Sequence, residues 1–207
     1  MRIISREARI FLRKFMNHPK QIGSVVPSSR FLAESMVNAI PWHNVKAAAE
    51  LGAGTGAITQ YIAQRASKDA EVYLFEKDTK MRRQLKLEYP GFTCAANAAN
   101  MLRILEGNGE RHLDCILSGL PFYNFPQEVR DQLMEQIVGA LKPGGLFVAF
   151  QYSLQMKKQM AKLFDIEKIK FVPLNFPPAF VYVCRKRLTI KGECDHADEQ
   201  EYYSGRG

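Results

Sequence analysis

Between Glu50 and Gly56 the chain reads Glu-Leu-Gly-Ala-Gly-Thr-Gly, and few folds accommodate such a stretch. The run Val45-Lys46-Ala47-Ala48-Ala49 ahead of it is mostly small and apolar. Ala57-Ile58-Thr59-Gln60-Tyr61-Ile62-Ala63 behind it has helical spacing. The reading is strand, tight turn, helix. Gly52, Gly54 and Gly56 remove Cβ atoms where a ligand would approach the backbone, and the helix start would offer it free N–H groups. The spacing is neither GxGxxG nor the phosphate loop GxxxxGK[ST]. A second apolar run, Glu71 to Phe75, ends in Glu76. An open α/β sheet places a ribose-binding carboxylate about 20 residues beyond its glycines, and a carboxylate can accept both hydrogen bonds of a vicinal diol. The plainer alternative is that Glu76 closes a strand at the surface.

The remaining pattern extends this unit. Ser28 or Ser29 can cap a helix over 31–37. The glycine and proline around them, in Gly23-Ser24-Val25-Val26-Pro27, suggest a shaped loop. A charged helix over 79–88 precedes a short strand at 92–95, and Leu113 to Leu117 is a fourth strand. A helix over 127–140 runs into the turn 141–145 and a buried strand at 146–150. Strand and helix alternate to this point, which argues a mostly parallel sheet. A helix over 154–164 then precedes strands at 166–172 and 177–185. The link between those two strands is too short for a crossover helix, so they should pair antiparallel.

At 207 residues and 46% hydrophobic content the chain suits one ordinary domain. No run reaches the ~18 apolar residues of a membrane span, and arginines interrupt any signal-like N-terminus. Four cysteines and four histidines are scattered without metal-ligand spacing. The net charge of +8 predicts an anionic partner, either nucleic acid or a membrane surface. Over residues 2–16, Ile4, Ala8, Phe11, Leu12 and Phe15 form one apolar stripe, while Arg2, Arg6, Arg9 and Arg13 repeat at the same interval. A basic helix with a wide apolar side suits a membrane interface. An amphipathic helix docked on its own domain, or arginines on RNA phosphates, would leave the same pattern. Residues 191–207 are acidic and poor in apolar residues, which predicts a disordered tail. The organisation expected is thus a helix over 1–17, a domain over 18–190 and a tail over 191–207.

The stretch from Glu50 to Gly56 resembles motif I of the class I S-adenosylmethionine-dependent methyltransferases. More narrowly, Gly23-Ser24-Val25 with Pro27-Ser28-Ser29, Ser118-Gly119-Leu120-Pro121, Gln151-Tyr152-Ser153 and Pro177-Pro178-Ala179 resemble the bacterial phospholipid N-methyltransferases. These are similar in their catalytic domain to rRNA adenine dimethylases. The resemblance covers residues from about 11 to 185. It implies an α/β, Rossmann-like fold with a seven-stranded sheet and a reversed last strand, plus an N-terminal amphipathic helix.

What the resemblance implies for residues follows position by position. Glu50 would lie near the amino group of S-adenosylmethionine. Gly52, Gly54, Thr55 and Gly56 would cradle it, Glu76 would meet its ribose, Asn97 and Ala98 would meet its adenine, and Lys77 would belong to the same cofactor site. A turn-forming role for Asn97 stands as an equal alternative. Ser24, Val25, Ser118, Gly119 and Leu120 would complete the cofactor site. Arg2, Arg6, Arg9, Phe11, Arg13 and Phe15 would meet an anionic membrane, with Ser28, Ser29 and Phe122 toward the lipid. The rRNA enzymes carry Asn or Asp before the hydrophobic-Pro-aromatic run; here Ser118 or Gly119 stands there, without a carboxamide. Tyr152 and Tyr123 are the candidates to take a proton from an ethanolamine ammonium. Phe122, Tyr123, Phe125 and Tyr152 are candidates to face the methylated cation, with core packing as the alternative for each. The expected activity is methylation of phosphatidylethanolamine toward phosphatidylcholine by a peripheral protein on the cytoplasmic face of the membrane, with no nucleic acid partner. An rRNA adenine N6-methyltransferase and a non-catalytic membrane-binding module are the rivals.

Overall fold

The structure, a computed structural model, describes residues 28–110 and 112–188. The expected helix over 2–16, the tail over 191–207, and Ser24 and Val25 lie outside these residues. The elements in chain order are α1 (Arg30–Val37), β1 (Ala47–Leu51), α2 (Thr59–Arg65), β2 (Glu71–Phe75), α3 (Thr79–Glu88), β3 (Thr93–Ala95), α4 (Met101–Gly107), β4 (Leu113–Ser118), α5 (Gln127–Ala140), β5 (Leu141–Gln151), α6 (Lys157–Leu163), β6 (Phe164–Val172) and β7 (Ala179–Lys186). The seven strands form one sheet in the order β3-β2-β1-β4-β5-β7-β6. β1 pairs parallel with β2 and β4, and β4 parallel with β5. β7 runs antiparallel to both β5 and β6. The seven-stranded sheet with one reversed strand is the architecture expected from the sequence.

Both faces of the sheet are covered, and the period-two alternation of each strand sorts its side chains between two cores. Ala48, Val72, Leu74, Cys115, Leu117, Val148 and Phe150 join Leu32, Met36 and Ile62 on one side. Ala47, Ala49, Tyr73, Phe75, Ile116, Phe147 and Ala149 join Met101, Ile137 and Met160 on the other. β1 lies between β2 and β4 and is buried along its whole length. Its alanines keep that centre thin, so helices approach closely from both sides. Glu50 shares the parity of Ala48, and it is carried into the first core although it is charged.

Three local differences from the sequence reading have simple causes. The expected turn over 141–145 is absorbed into β5 as a bulge. Leu113 pairs Leu141 but Cys115 pairs Leu146, so the residues between them on β5 loop out of register. Helix α2 begins at Thr59 rather than Ala57 because Gly56 N–H donates to Ala53 O and extends the turn. Helix α4 was not anticipated; Met101 and Leu105, one turn apart, bury on the second core.

Candidate active site

β1, β2 and β4 end together, and their loops are stitched to one another. Gly52 N–H donates to Phe75 O at 2.8 Å, and Gly119 N–H donates to Leu51 O at 2.9 Å. Gly52 has φ +76, and a Cβ there would lie 2.8 Å from Leu120 Cδ2. A Cβ on Gly119 would meet Gly52 O at 3.2 Å. Both glycines are therefore demanded by the approach of the β4 loop to the β1 loop. Gln151, buried at the end of β5, holds the β4 loop from the other side: Nε2 donates to Leu120 O at 2.9 Å.

These loops bound a cavity of about 380 Å³ at the carboxyl edge of the sheet, a size that suits a cofactor. One end is acidic. Glu76 folds back onto the glycine loop, with Oε2 accepting from Gly54 N–H at 2.8 Å and Oε1 from Asp78 N–H at 2.7 Å. Glu76 is therefore no mere strand end. Asp78 caps α3 by accepting from the N–H groups of Lys80 and Met81, and both Asp78 and Met81 line the cavity.

Glu50 forms part of the floor and is 1% exposed. Thr59 Oγ1 donates to its Oε2 at 2.6 Å, while Oε1 has no hydrogen-bond partner among the described residues. Burial pushes this carboxyl up to about 8, against the Thr59 hydrogen bond, and the charge of Glu76 adds to the rise. A buried acceptor lacking a partner is costly. Here it faces a cavity, where a cationic donor group would satisfy it.

The other end of the cavity is apolar and aromatic. Leu120 and Pro121 line it with Phe150 and Tyr152, whose rings meet edge to face at 5.5 Å. Asn124 lies there too. Burial raises the Tyr152 phenol to about 12, so at neutral pH it stays protonated. That makes it a wall and a hydrogen-bonding group rather than the proton acceptor expected of it. Tyr123 is 44% exposed and lines a shallow recess beside Asn124 and Tyr152.

The expected site residues divide accordingly. Ser28, Glu50, Gly52, Gly54, Thr55, Glu76, Gly119, Leu120 and Tyr152 line the cavity. Others serve as support. Ser29 caps α1, its Oγ accepting from Leu32 N–H. Ser118 is buried, and its Oγ accepts from Leu120 N–H. Gly56 packs against Leu85 and Tyr89. Asn97 is a turn residue, its Oδ1 accepting from Ala99 N–H, and neither it nor Lys77 nor Ala98 borders the cavity. Phe122 is fully buried against Phe125 and Phe147, so it is core rather than a substrate contact. Ala53, Ala57, Ile58, Asp78, Met81, Pro121, Asn124 and Phe150 line the cavity without having been singled out. Asp78 was within reach, since it stands two residues beyond Glu76 and directly before a helix, where Asp is a natural cap.

Comparison with known proteins agrees with this geometry. A methyltransferase domain family matches residues 48–145. The chain is 35% identical over 187 residues to the ornithine lipid N-methyltransferase of Singulisphaera acidiphila, covering 85% of this chain and 94% of that protein. Among solved structures, the N-methyltransferase NodS of Bradyrhizobium japonicum WM9 superposes with a TM-score of 0.62 at 11% identity, over 75% of this chain and 94% of that one. The same protein in complex with S-adenosyl-l-homocysteine gives 0.60 at 12% identity, over 88% and 99%. The 1,6-didemethyltoxoflavin-N1-methyltransferase of Burkholderia thailandensis gives 0.59 at 13% identity, over 87% of each. At these identities the structural likenesses bear on the fold.

Proposed function

The chain belongs to the class I S-adenosylmethionine-dependent N-methyltransferases, in the family of the Singulisphaera lipid enzyme, and on that premise we propose that it methylates the primary amine of a membrane lipid headgroup. The observation that carries this reading is the two-ended character of one cavity. Its carboxylate end suits a cationic cofactor bearing a ribose. Its apolar end, with no ionisable group among the described residues but the protonated Tyr152 phenol, suits an alkyl amine stripped of water.

The fit to S-adenosylmethionine rests on Glu50 Oε1, a buried acceptor that the protein leaves for an ammonium. Glu76, already held at Gly54 N–H, is the carboxylate for the ribose hydroxyls. When bound, the cofactor supplies an electrophilic methyl on a sulfonium. The chain's own residues do the rest. Gly52 and Gly119, lacking Cβ atoms, let the two loops close on the donor site. Gln151 fixes the Leu120 carbonyl and with it the loop that separates donor from acceptor. Phe150 and Tyr152 exclude water from the amine, and a desolvated amine favours its neutral, nucleophilic form. No phenolate is needed as base. Much of the rate then comes from holding the partners together.

Two headgroups share the required chemistry. The motifs Ser118-Gly119-Leu120-Pro121 and Gln151-Tyr152-Ser153 support phosphatidylethanolamine, methylated toward phosphatidylcholine at the cytoplasmic face of the membrane. The likeness to the Singulisphaera protein supports an ornithine headgroup. No helix among the described residues is long and apolar enough to cross a membrane, so attachment at the surface, through the basic segment 2–16, is part of the proposal. The RNA adenine reading has no support in the site. The position that would carry a carboxamide is Ser118, whose Oγ accepts from Leu120 N–H, or Gly119, where a Cβ would meet Gly52 O.

The substrate is tested by offering vesicles of phosphatidylethanolamine, vesicles of ornithine lipid, and total RNA separately with the cofactor, followed by mass spectrometry. Methyl additions on one or both aminolipids are expected. Additions on RNA with none on either lipid would overturn the proposal.

A further inference from the structure

β4, β5 and β6 run parallel and end at the same edge of the sheet. The loops after β4 and β5 line the apolar end of the cavity together with Ser28 at the start of α1, and the loop after β6 is tied to that start. Ser29 N–H donates to Asn175 Oδ1 at 2.9 Å, and Asn175 Nδ2 donates to Pro177 O at 2.7 Å, so the β6–β7 loop is braced against α1. Asn175 is buried. Yet the tip it braces is greasy: Leu174 is 63% exposed and Phe171, at the end of β6, is 51% exposed. Leu154, in the loop after β5, and Phe31, at the start of α1, are exposed as well. A braced loop that holds aliphatic and aromatic side chains in water calls for a partner.

The charge around these side chains selects the partner. Residues 28–33, 119–127, 152–163 and 168–178 contain no Asp or Glu. They contain Arg30, Lys157, Lys158, Lys162, Lys168 and Lys170, all exposed. Of the cavity's carboxyl groups, Glu50 is buried in the floor and Glu76 and Asp78 lie at the other end. Apolar residues ringed by cations on one edge suit an anionic bilayer, in which the apolar tips enter the interface and the cations meet phosphates. We infer that the β6–β7 loop, with Leu174 exposed within it, is a membrane-insertion site built into the folded domain. It is additional to the segment 2–16, and it sets the mouth of the cavity against the headgroups. The inference rests on the lipid reading above.

The direct test is the full chain carrying Leu174→Trp, with vesicles of phosphatidylglycerol and phosphatidylethanolamine whose acyl chains are brominated. The natural Trp42 is 7% exposed and packed in the first core, so it supplies an unresponsive background. Insertion predicts a blue shift and quenching of the new indole on adding vesicles. A companion variant, Leu174→Glu, loses an apolar contact and adds a like charge. It should partition about tenfold more weakly into those vesicles, a loss of the size expected for one leucine side chain. Its cofactor affinity, and its rate on short-chain lipid dispersed in detergent, should stay within about twofold of the parent, about a third of a tenfold step in free energy. An indole that is already blue-shifted without vesicles and indifferent to them would mean that residues 1–27 or a second copy cover the loop, and would overturn the inference. So would unchanged partition of Leu174→Glu. If the parent methylates vesicle lipid while the indole stays unquenched, the insertion site falls and the lipid reading stands. If the indole is quenched and no lipid is ever methylated, the lipid reading falls alone.

Discussion

On the proposed reading, Glu50 is a carboxyl group held for a cation. Its proton is lost only near pH 8 in the folded protein, because burial penalises the charged form. A bound ammonium reverses that preference. Cofactor binding below pH 8 should therefore release a proton, and calorimetric titrations in buffers of different ionisation heat should detect it. Glu50→Gln should abolish the release and weaken binding by about 3 kcal/mol or more, the cost of breaking a buried charge pair. The ligand-free protein should respond in the opposite sense. A carboxyl whose folded pKa is raised from 4.5 to about 8 contributes stability below pH 4.5 that is lost as the pH climbs to 8. Denaturant titrations should show Glu50→Gln matching the parent at pH 4 and exceeding it at pH 8, by an amount on the order of 3 kcal/mol. Gly52 is constrained differently. Gly52→Ala forces a side chain into φ +76 and into Leu120. It should cost stability by about 1 kcal/mol or more and remove cofactor binding.

At the scale of elements, what the sequence disclosed was what local chemistry decides alone. The β1–α2 unit, the capped start of α1 and the antiparallel β6–β7 pair were legible because glycines, a serine and a short link each act over a few residues. The bulge in β5 was not. It depends on how Leu113 and Cys115 of β4 pair across strands, which no run of residues 141–146 records. Asn97 and Phe122 stayed ambiguous in the sequence for a related reason. A polar residue after a strand and an aromatic after Pro121 suit a site or a cap or a core equally well, and only packing decides. Asp114 shows the same dependence. It accepts from the N–H groups of Lys46 and Ala47 and pairs with Lys142, clamping the start of β1 to β4 and β5. Burial acts to raise this carboxyl, but its hydrogen bonds from Lys142, Ala47 and Lys46 hold it below the usual aspartate range. Its stabilisation is present above pH 4 and lost as the pH falls through that lowered value. Asp114→Asn should lower stability at pH 7 by about 1–3 kcal/mol, with the gap from the parent closing toward pH 2 in acid denaturation. Asn175→Ala should loosen the β6–β7 loop, seen as faster amide exchange over 173–178 while the strands keep their protection.

As a whole, the molecule has a sidedness that no single motif announces. Carboxylates occupy one end of the cavity and aromatic rings the other. The loops beyond the rings carry lysines and bare apolar side chains. The net charge of +8 suggests an anionic partner without saying which. Its distribution around the cavity, with the chain-length likeness to a lipid N-methyltransferase, is what favours a bilayer over RNA. The most direct measurement follows label from methyl-labelled S-adenosylmethionine into mixed aminolipid vesicles, for the parent chain and for Glu50→Gln, with lipids resolved over time. The account predicts label accumulating in headgroup amines for the parent and almost none for the variant. Lipids that stay unlabelled with the parent, or label that enters equally in both proteins, would contradict it.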